Sequence, residues 1–370
     1  MKKDKDVVKK RNKTKILVSI LLLLIVIAIG ILIVKNDQKN KIKNDNIAKN
    51  NFNNVVENKN PKSTPKPKPK TMQGKERPIA FMLDNNINAT PQAGLEQADI
   101  IYEMIVEGGE SRLMAVIKNK KIDKIGPLRS ARHYFLDYAL ENDAIYLHYG
   151  QSPQAEDDIK KLAVNNINGI YGGKNDFWRD KTRYAPHNAV TSTEKLNNMI
   201  ERKQYRTTSS QKNLLNYVVE EINLDKEEKL EEGQTTKVLE ANIVNIPYSP
   251  HNKVKYVYDE ESKEYIRYSR GKKQTDWNTE NDVKTKNIII TKCKNSTLDD
   301  GSGKGRQTLY NIKTLDGYYI TNGKAIPIQC EKRTRKDQTK YLTLNGQEIK
   351  VNDGKTFIQI CPDDSEITFE

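Results

Sequence analysis

The stretch from Ile16 to Val34 is 19 residues long and uncharged, and eight Lys or Arg residues crowd the 15 positions before it. As a helix rising about 1.5 Å per residue, it would span roughly the 30 Å hydrocarbon core of a bilayer. Basic residues on the leading side hold that end in the cytoplasm. The chain is therefore read as a single-pass cell-membrane protein, with a basic cytoplasmic tail at 1–15, a transmembrane helix at 16–34 and residues 35–370 extracytoplasmic. A cleaved leader is the competing reading, but the run exceeds a usual leader core, and Lys35-Asn36-Asp37 supplies no small-residue cleavage site.

The net charge of +14 suggests a polyanion binder until it is divided along the chain. Residues 1–15 hold a surplus of six positive charges and residues 35–77 a surplus of eight. Residues 78–370, with 43 basic and 43 acidic side chains, are neutral. No nucleic-acid partner is expected, since the folded part offers a polyanion no global attraction. Residues 35–77 are rich in Asn and Lys and alternate Pro with Lys at 65–70, the composition of a disordered stalk. Fully stretched, it could reach on the order of 140 Å.

The exported part is long enough for two domains, placed at 78–205 and 206–370. The expected fold class is α+β, a mixed α/β domain followed by a β-rich one. Strands are read at 78–83, 100–106, 112–117 and 144–149, and helices at 129–140 and 153–162, the latter with Ser152 as cap before Pro153. The segment 91–95 is read as a turn leading into a helix, and 210–222 as a further amphipathic helix. In the second domain, Asn322-Gly323 and Asn345-Gly346 mark hairpins joining 315–321 to 325–331 and 341–344 to 348–351. Cys293, Cys330 and Cys361 are widely spaced, without a CxxC or a neighbouring histidine, and read as buried core residues.

Polar residues gather where the elements of the first domain end: Asp84-Asn85; Glu103, Glu107, Gly108, Gly109 and Arg112; IGPLRSAR with Arg129 and Arg132; and HYGQSP with FWRDKTRYAPHNAV. The segments RPIAFMLDN, PQAGLEQADIIYEMIVEGGESRLMAVI, IGPLRSARHYFLDYALENDAIYLHYGQSP and FWRDKTRYAPHNAVTS together resemble the YerB-like family of exported bacterial lipoproteins, a domain-of-unknown-function family. GKAIPIQCEKRTRKDQTKYLTLNGQEIKVNDGKTFIQICP is similar to that family's separate C-terminal domain. Two departures stand out. Many members are anchored by a lipidated cysteine where this chain has an apolar span, and Cys330 stands where the family leads one to expect tryptophan. The resemblance implies an extracytoplasmic location and no established activity.

Chemistry must then be argued from the residues. Arg112, Arg129, Arg132, Arg179 and Arg183 sit beside Gly, Pro, Ser and Asn, where guanidinium forks and free backbone amides both donate to anions. Arg129 and Arg132 would share a face if a helix began there, and its positive end would add to the pull. The bland reading pairs the same arginines with Asp84, Glu103, Glu107 or Asp180. His187, after Pro186 and before Asn188, and His148, at a strand end, are the histidine candidates for a site. No histidine pair has metal-ligand spacing, and Ser130 and Ser152 lack a GxSxG setting. The GSGKG at 301–305 is too short for a phosphate-binding P-loop.

An architectural analogy to the LytR-CpsA-Psr family would let Arg129 and Arg132 clamp a pyrophosphate, while Asp84 and Glu107 hold a divalent cation or orient a hydroxyl. The candidate catalytic residues are thus Asp84, Glu107 and His187. The candidate ligand-binding residues are Arg112, Arg129, Arg132, His148, Arg179, Arg183 and Asn188. No metal motif is present, and the sequence leaves both turnover and a divalent cofactor open. The expected ligand is an anionic envelope glycopolymer or lipid-linked precursor. The alternative is a non-catalytic scaffold that docks a membrane or cell-wall enzyme.

Overall fold

The structure, a computed structural model, describes residues 67–225 and 237–370. The expected tail, the 16–34 span and most of the stalk lie outside the described residues. Among the described residues no helix is long and apolar enough to cross a membrane. The last stalk residues differ from expectation. Asp353 accepts the backbone N–H groups of Lys70 and Thr71 at 2.7 and 2.9 Å, and Met72 is buried, so the chain is docked from about residue 70 onward.

The first strands are β1 (Ile79–Asp84), β2 (Ile100–Ile105) and β3 (Ser111–Ile117), followed by helix α1 (Phe135–Glu141), β4 (Ile145–His148), helix α2 (Pro153–Lys161), β5 (Asn166–Asn168) and helix α3 (Thr193–Arg202). The second half contributes β6 (Ile243–Ser249), β7 (Asn252–Asp259), β8 (Glu264–Ser269), β9 (Asn287–Cys293), β10 (Asn295–Thr297), β11 (Gln307–Leu309), β12 (Thr314–Thr321), β13 (Lys324–Glu331), β14 (Lys340–Thr343) and β15 (Thr356–Pro362). The architecture is α+β, with a β-rich second half.

One sheet runs through both halves in the order β14-β13-β12-β9-β15-β2-β3-β1-β4-β5. Strand β15, near the end of the chain, lies parallel to both β9 and β2, in register from Ile100 opposite Thr356 to Met104 opposite Ile360. A second sheet built on β6, β7 and β8 stacks on one face. Successive side chains of a strand point to opposite faces, and β2 shows what lies on each. Tyr102 donates to Glu141 of α1, whereas Glu103 meets Arg267 of β8. All six residues of β2 are buried, which is why its sequence IIYEMI is almost continuously apolar.

Several local expectations are corrected. No helix covers 129–134: Arg129 donates its N–H to Met82 O and accepts from Tyr149 N, so this stretch is sewn between the ends of β1 and β4, and α1 begins only at Phe135. Residues 91–95 form no helix either, because the Gln92 amide turns inward to Asp84 O and Asn85 Oδ1. The segment 210–222 contains a strand at Asn216–Val218, parallel to Lys350–Asn352. The hairpin across Asn345-Gly346 does form, with Leu342 opposite Glu348 and Ile349 N donating to Tyr341 O, but it ends there because 350–352 takes this other partner. Ser152 does cap α2, accepting from Ala155 N, and the 322–323 hairpin joins β12 to β13. The three cysteines are free and buried.

Candidate functional site

The ends of β1, β2, β3 and β4 face a common cleft of about 430 Å3. Asp84 closes β1, opposite Arg112 in the antiparallel register with β3. Its Oδ2 lies 2.7 Å from His187 Nδ1 and 3.2 Å from Arg129 Nε. Glu107 sits in the turn joining β2 to β3, where Gly108 and Gly109 take positive φ values of 67° and 71° that other residues seldom adopt. Glu107 accepts from Arg132 Nε at 2.5 Å, and its second oxygen lies 3.7 Å from Arg112 Nη2.

These charges perturb one another. Burial lowers the Arg112 pKa to about 10, reinforced by Arg132 and Arg129 and opposed by Glu107 and Asp84. Burial alone would raise Glu107, but its hydrogen bond to Arg132 and the charges of Arg132 and Arg112 leave it below its ordinary value. Two guanidiniums therefore share one carboxylate. The donor atoms are not all spent: among the described residues, Nη1 and Nη2 of Arg129 and Nη2 of Arg132 donate no hydrogen bond to the protein. Such free, converging donors are what an anionic oxygen requires.

The structure thus brings Asp84, Glu107, His187, Arg112, Arg129 and Arg132 together, and leaves four other candidates elsewhere. His148 is fully buried, with Nδ1 against Gly150 O, Nε2 against Asn166 Oδ1 and its ring on Tyr146; burial lowers its pKa. Arg179 donates to Asn188 Oδ1 and lies over the Tyr149 ring. Arg183 donates to Ala89 O and Pro91 O and stacks on Trp277. Asn188 donates to Asp180 O and Arg183 O, shaping the loop that carries His187. Nor do Arg129 and Arg132 gain a helix's positive end, since both precede α1 in non-helical chain.

Two side chains of the cleft come from a segment set aside at the sequence level. Lys304 and Arg306, in the glycine-rich loop between β10 and β11, line the cleft from the second half. Their only signal was two cations among spaced glycines. Among the described residues no group of three or more His, Cys, Asp or Glu side chains is placed to hold a metal ion.

Comparison with known proteins agrees with this architecture. Residues 63–206 match the N-terminal domain, and residues 244–358 the C-terminal domain, of the family described as "Protein of unknown function (DUF3048)". The chain is 28% identical over 298 residues to the Bacillus subtilis (strain 168) protein named "Putative lipoprotein YerB", which covers 78% of this chain and 82% of that one. The crystal structure of the YerB protein from Bacillus subtilis superposes with a TM-score of 0.69 at 27% identity, covering 80% of this chain and 94% of the other. This chain therefore belongs to the YerB-like, DUF3048 family, with both of its domains present.

Proposed function

We propose that the chain is a membrane-anchored extracytoplasmic protein of the bacterial cell envelope, and that the cleft at the ends of β1 to β4 binds a phosphate-bearing envelope ligand. The location rests on the apolar 16–34 run and its basic flank, together with the lipoprotein name of the related YerB. A lipid-modified cysteine and a spanning helix are different anchors with the same result, a folded body held at a membrane face. Residues between the span and about residue 70 would act as the spacer.

The observation that carries the ligand reading is the cationic excess of the cleft: Arg112, Arg129, Arg132, Lys304 and Arg306 against Asp84, Glu107 and Glu110. The LytR-CpsA-Psr comparison draws no support from the relatives, so no transfer reaction is assigned. A non-catalytic docking role is the second reading, favoured by the engagement of Asp84 and Glu107 with arginines. The test is calorimetric titration of the full-length protein with phosphate-bearing wall polymer from its own cells. Replacing Arg129 and Arg132 together with Ala should weaken binding by at least about tenfold. Unchanged affinity would end the ligand reading, and loss of a co-purifying protein instead would favour docking.

A further inference from the structure

Charge bookkeeping around the cleft narrows its ligand. Asp84 answers Arg129, Glu107 answers one of Arg112 and Arg132, and Asp300 answers Arg306. Glu110 is matched by Arg270. One guanidinium and the Lys304 ammonium are left over, an excess of two positive charges. A singly charged carboxylate or phosphodiester would neutralise half of it.

The loop supplying Lys304 and Arg306 is anchored at its stem and open at its tip. At the stem, Leu298 N donates to Arg306 O at 2.7 Å, and Thr308 Oγ1 lies 3.0 Å from the Nε2 of His133, the residue after Arg132. Asp300 accepts from Gln154 of α2 at 3.0 Å and from Arg306 at 2.5 Å. Toward the tip, Gly301, Gly303 and Gly305 have φ of 68°, 64° and 66°, and a Cβ added at any of them would meet nothing within 4 Å. Packing does not demand these glycines. The tip is held, among the described residues, only within itself, by Ser302 N and Oγ donating to Asp300 Oδ1 and Lys304 N donating to Ser302 Oγ, and the wide backbone range of three glycines gives it other shapes to adopt. Among the described residues the Lys304 ammonium has no partner, and Arg306 is held through Nη1 alone.

We propose that residues 298–306 are a clamp that brings Lys304 and Arg306 onto a doubly charged phosphate seated on Arg129 and Arg132, so that the ligand is a terminal phosphate monoester or a bridging diphosphate. On closing, Arg306 exchanges Asp300 for a phosphate oxygen, and Lys304 crosses the mouth of the cleft. This deepens the anion-site reading and depends on it.

The test is calorimetry on the full-length chain in detergent with four probes: glycerol 1-phosphate for a terminal monoester, UDP-glucose for a bridging diphosphate, and the monoanions dimethyl phosphate and acetate. One of the first two should bind at least about tenfold more tightly than either monoanion, and which one identifies the source. Lys304→Ala, on an exposed side chain, should cost about fivefold, and Arg306→Ala about tenfold, for that dianion only. Saturation with it should also protect the loop from trypsin at Lys304 and Arg306. If the wild type binds none of the probes, clamp and anion site fall together. If Arg129→Ala abolishes binding while Lys304→Ala and Arg306→Ala leave it unchanged, the clamp alone falls. Equal affinity for monoanion and dianion overturns the assigned charge.

Discussion

Glu107 is the residue on which the balance of the cleft turns, because Arg132 approaches one of its oxygens to 2.5 Å and Arg112 the other to 3.7 Å. Its folded-state pKa lies below the ordinary 4.5. The stability it contributes is therefore fully present above about pH 4.5 and is lost as pH falls through the lower, folded value. Glu107→Gln should destabilise the protein by about 2 kcal/mol at pH 7. The gap between the two proteins' urea midpoints should shrink as pH falls below about 4.5, and a gap constant from pH 7 to pH 3 would contradict the assignment. The same substitution removes a negative charge and should tighten the binding of any dianion. Much of the cleft was legible in the sequence for a local reason: Asp84, Glu107 and His187 adjoin asparagine, glycine or proline at element ends, and Arg112, Arg129 and Arg132 follow the Gly108-Gly109 and Gly126-Pro127 turns within a few residues. Lys304 and Arg306 were not, because they reach the cleft through a contact more than 100 residues away in the chain. His148 misled, since its strand end points into a fully buried pocket of backbone and amide acceptors rather than toward the cleft.

At the scale of elements, pattern succeeded where a short-range signal dominated. Ser152 before Pro153 fixed the start of α2, and Asn322-Gly323, with φ of 50° and 75°, fixed the β12–β13 turn. It failed where a distant partner decides conformation. The apolar spacing of 210–222 suits a helix, yet Asn216–Val218 pairs with Lys350–Asn352 and Tyr217 is buried beside Thr356. Helix α3 went unread although it carries the same kind of signal as α2, a Ser192 cap and a buried face of Thr193, Leu196, Met199 and Ile200 at helical spacing. The close approach of β9 and β12 is invisible locally. Gly317 of β12 lies opposite Thr291, and a Cβ there would stand 2.1 Å from Ile290 O and 3.0 Å from Cys330 Sγ. A backbone carbonyl within the sheet cannot swing aside. Gly317→Ala should therefore cost about 3 kcal/mol in urea denaturation, and an unmoved midpoint would show that the two strands can separate without loss.

For the whole molecule, the decisive feature is the insertion of β15 between β9 and β2, which makes the two halves one hydrogen-bonded sheet. Without it, β2 would be an edge strand with six buried residues laid open. Across the sheet faces, Arg267 and Glu103 form an ion pair with neither side chain exposed. Glu103 also accepts from Asn85 and Ser111, and Arg267 donates to Gln274, so the pair is embedded in a polar network drawn from both halves. Removing one member strands the other charge in a dry interior, at about 3–5 kcal/mol. Residues 67–370 should consequently unfold in one step. In a Trp277→Phe background, Trp178 fluorescence reports the first half, while thiol labelling of the buried Cys293, Cys330 and Cys361 reports the second. Both signals should share one urea midpoint, and Glu103→Gln should lower the two together. If the thiols opened at a lower urea concentration than Trp178, or if Glu103→Gln moved only one midpoint, the halves would be independent, and a cleft lined by Arg129 from one and Lys304 from the other would lack the rigid frame that its charge balance assumes.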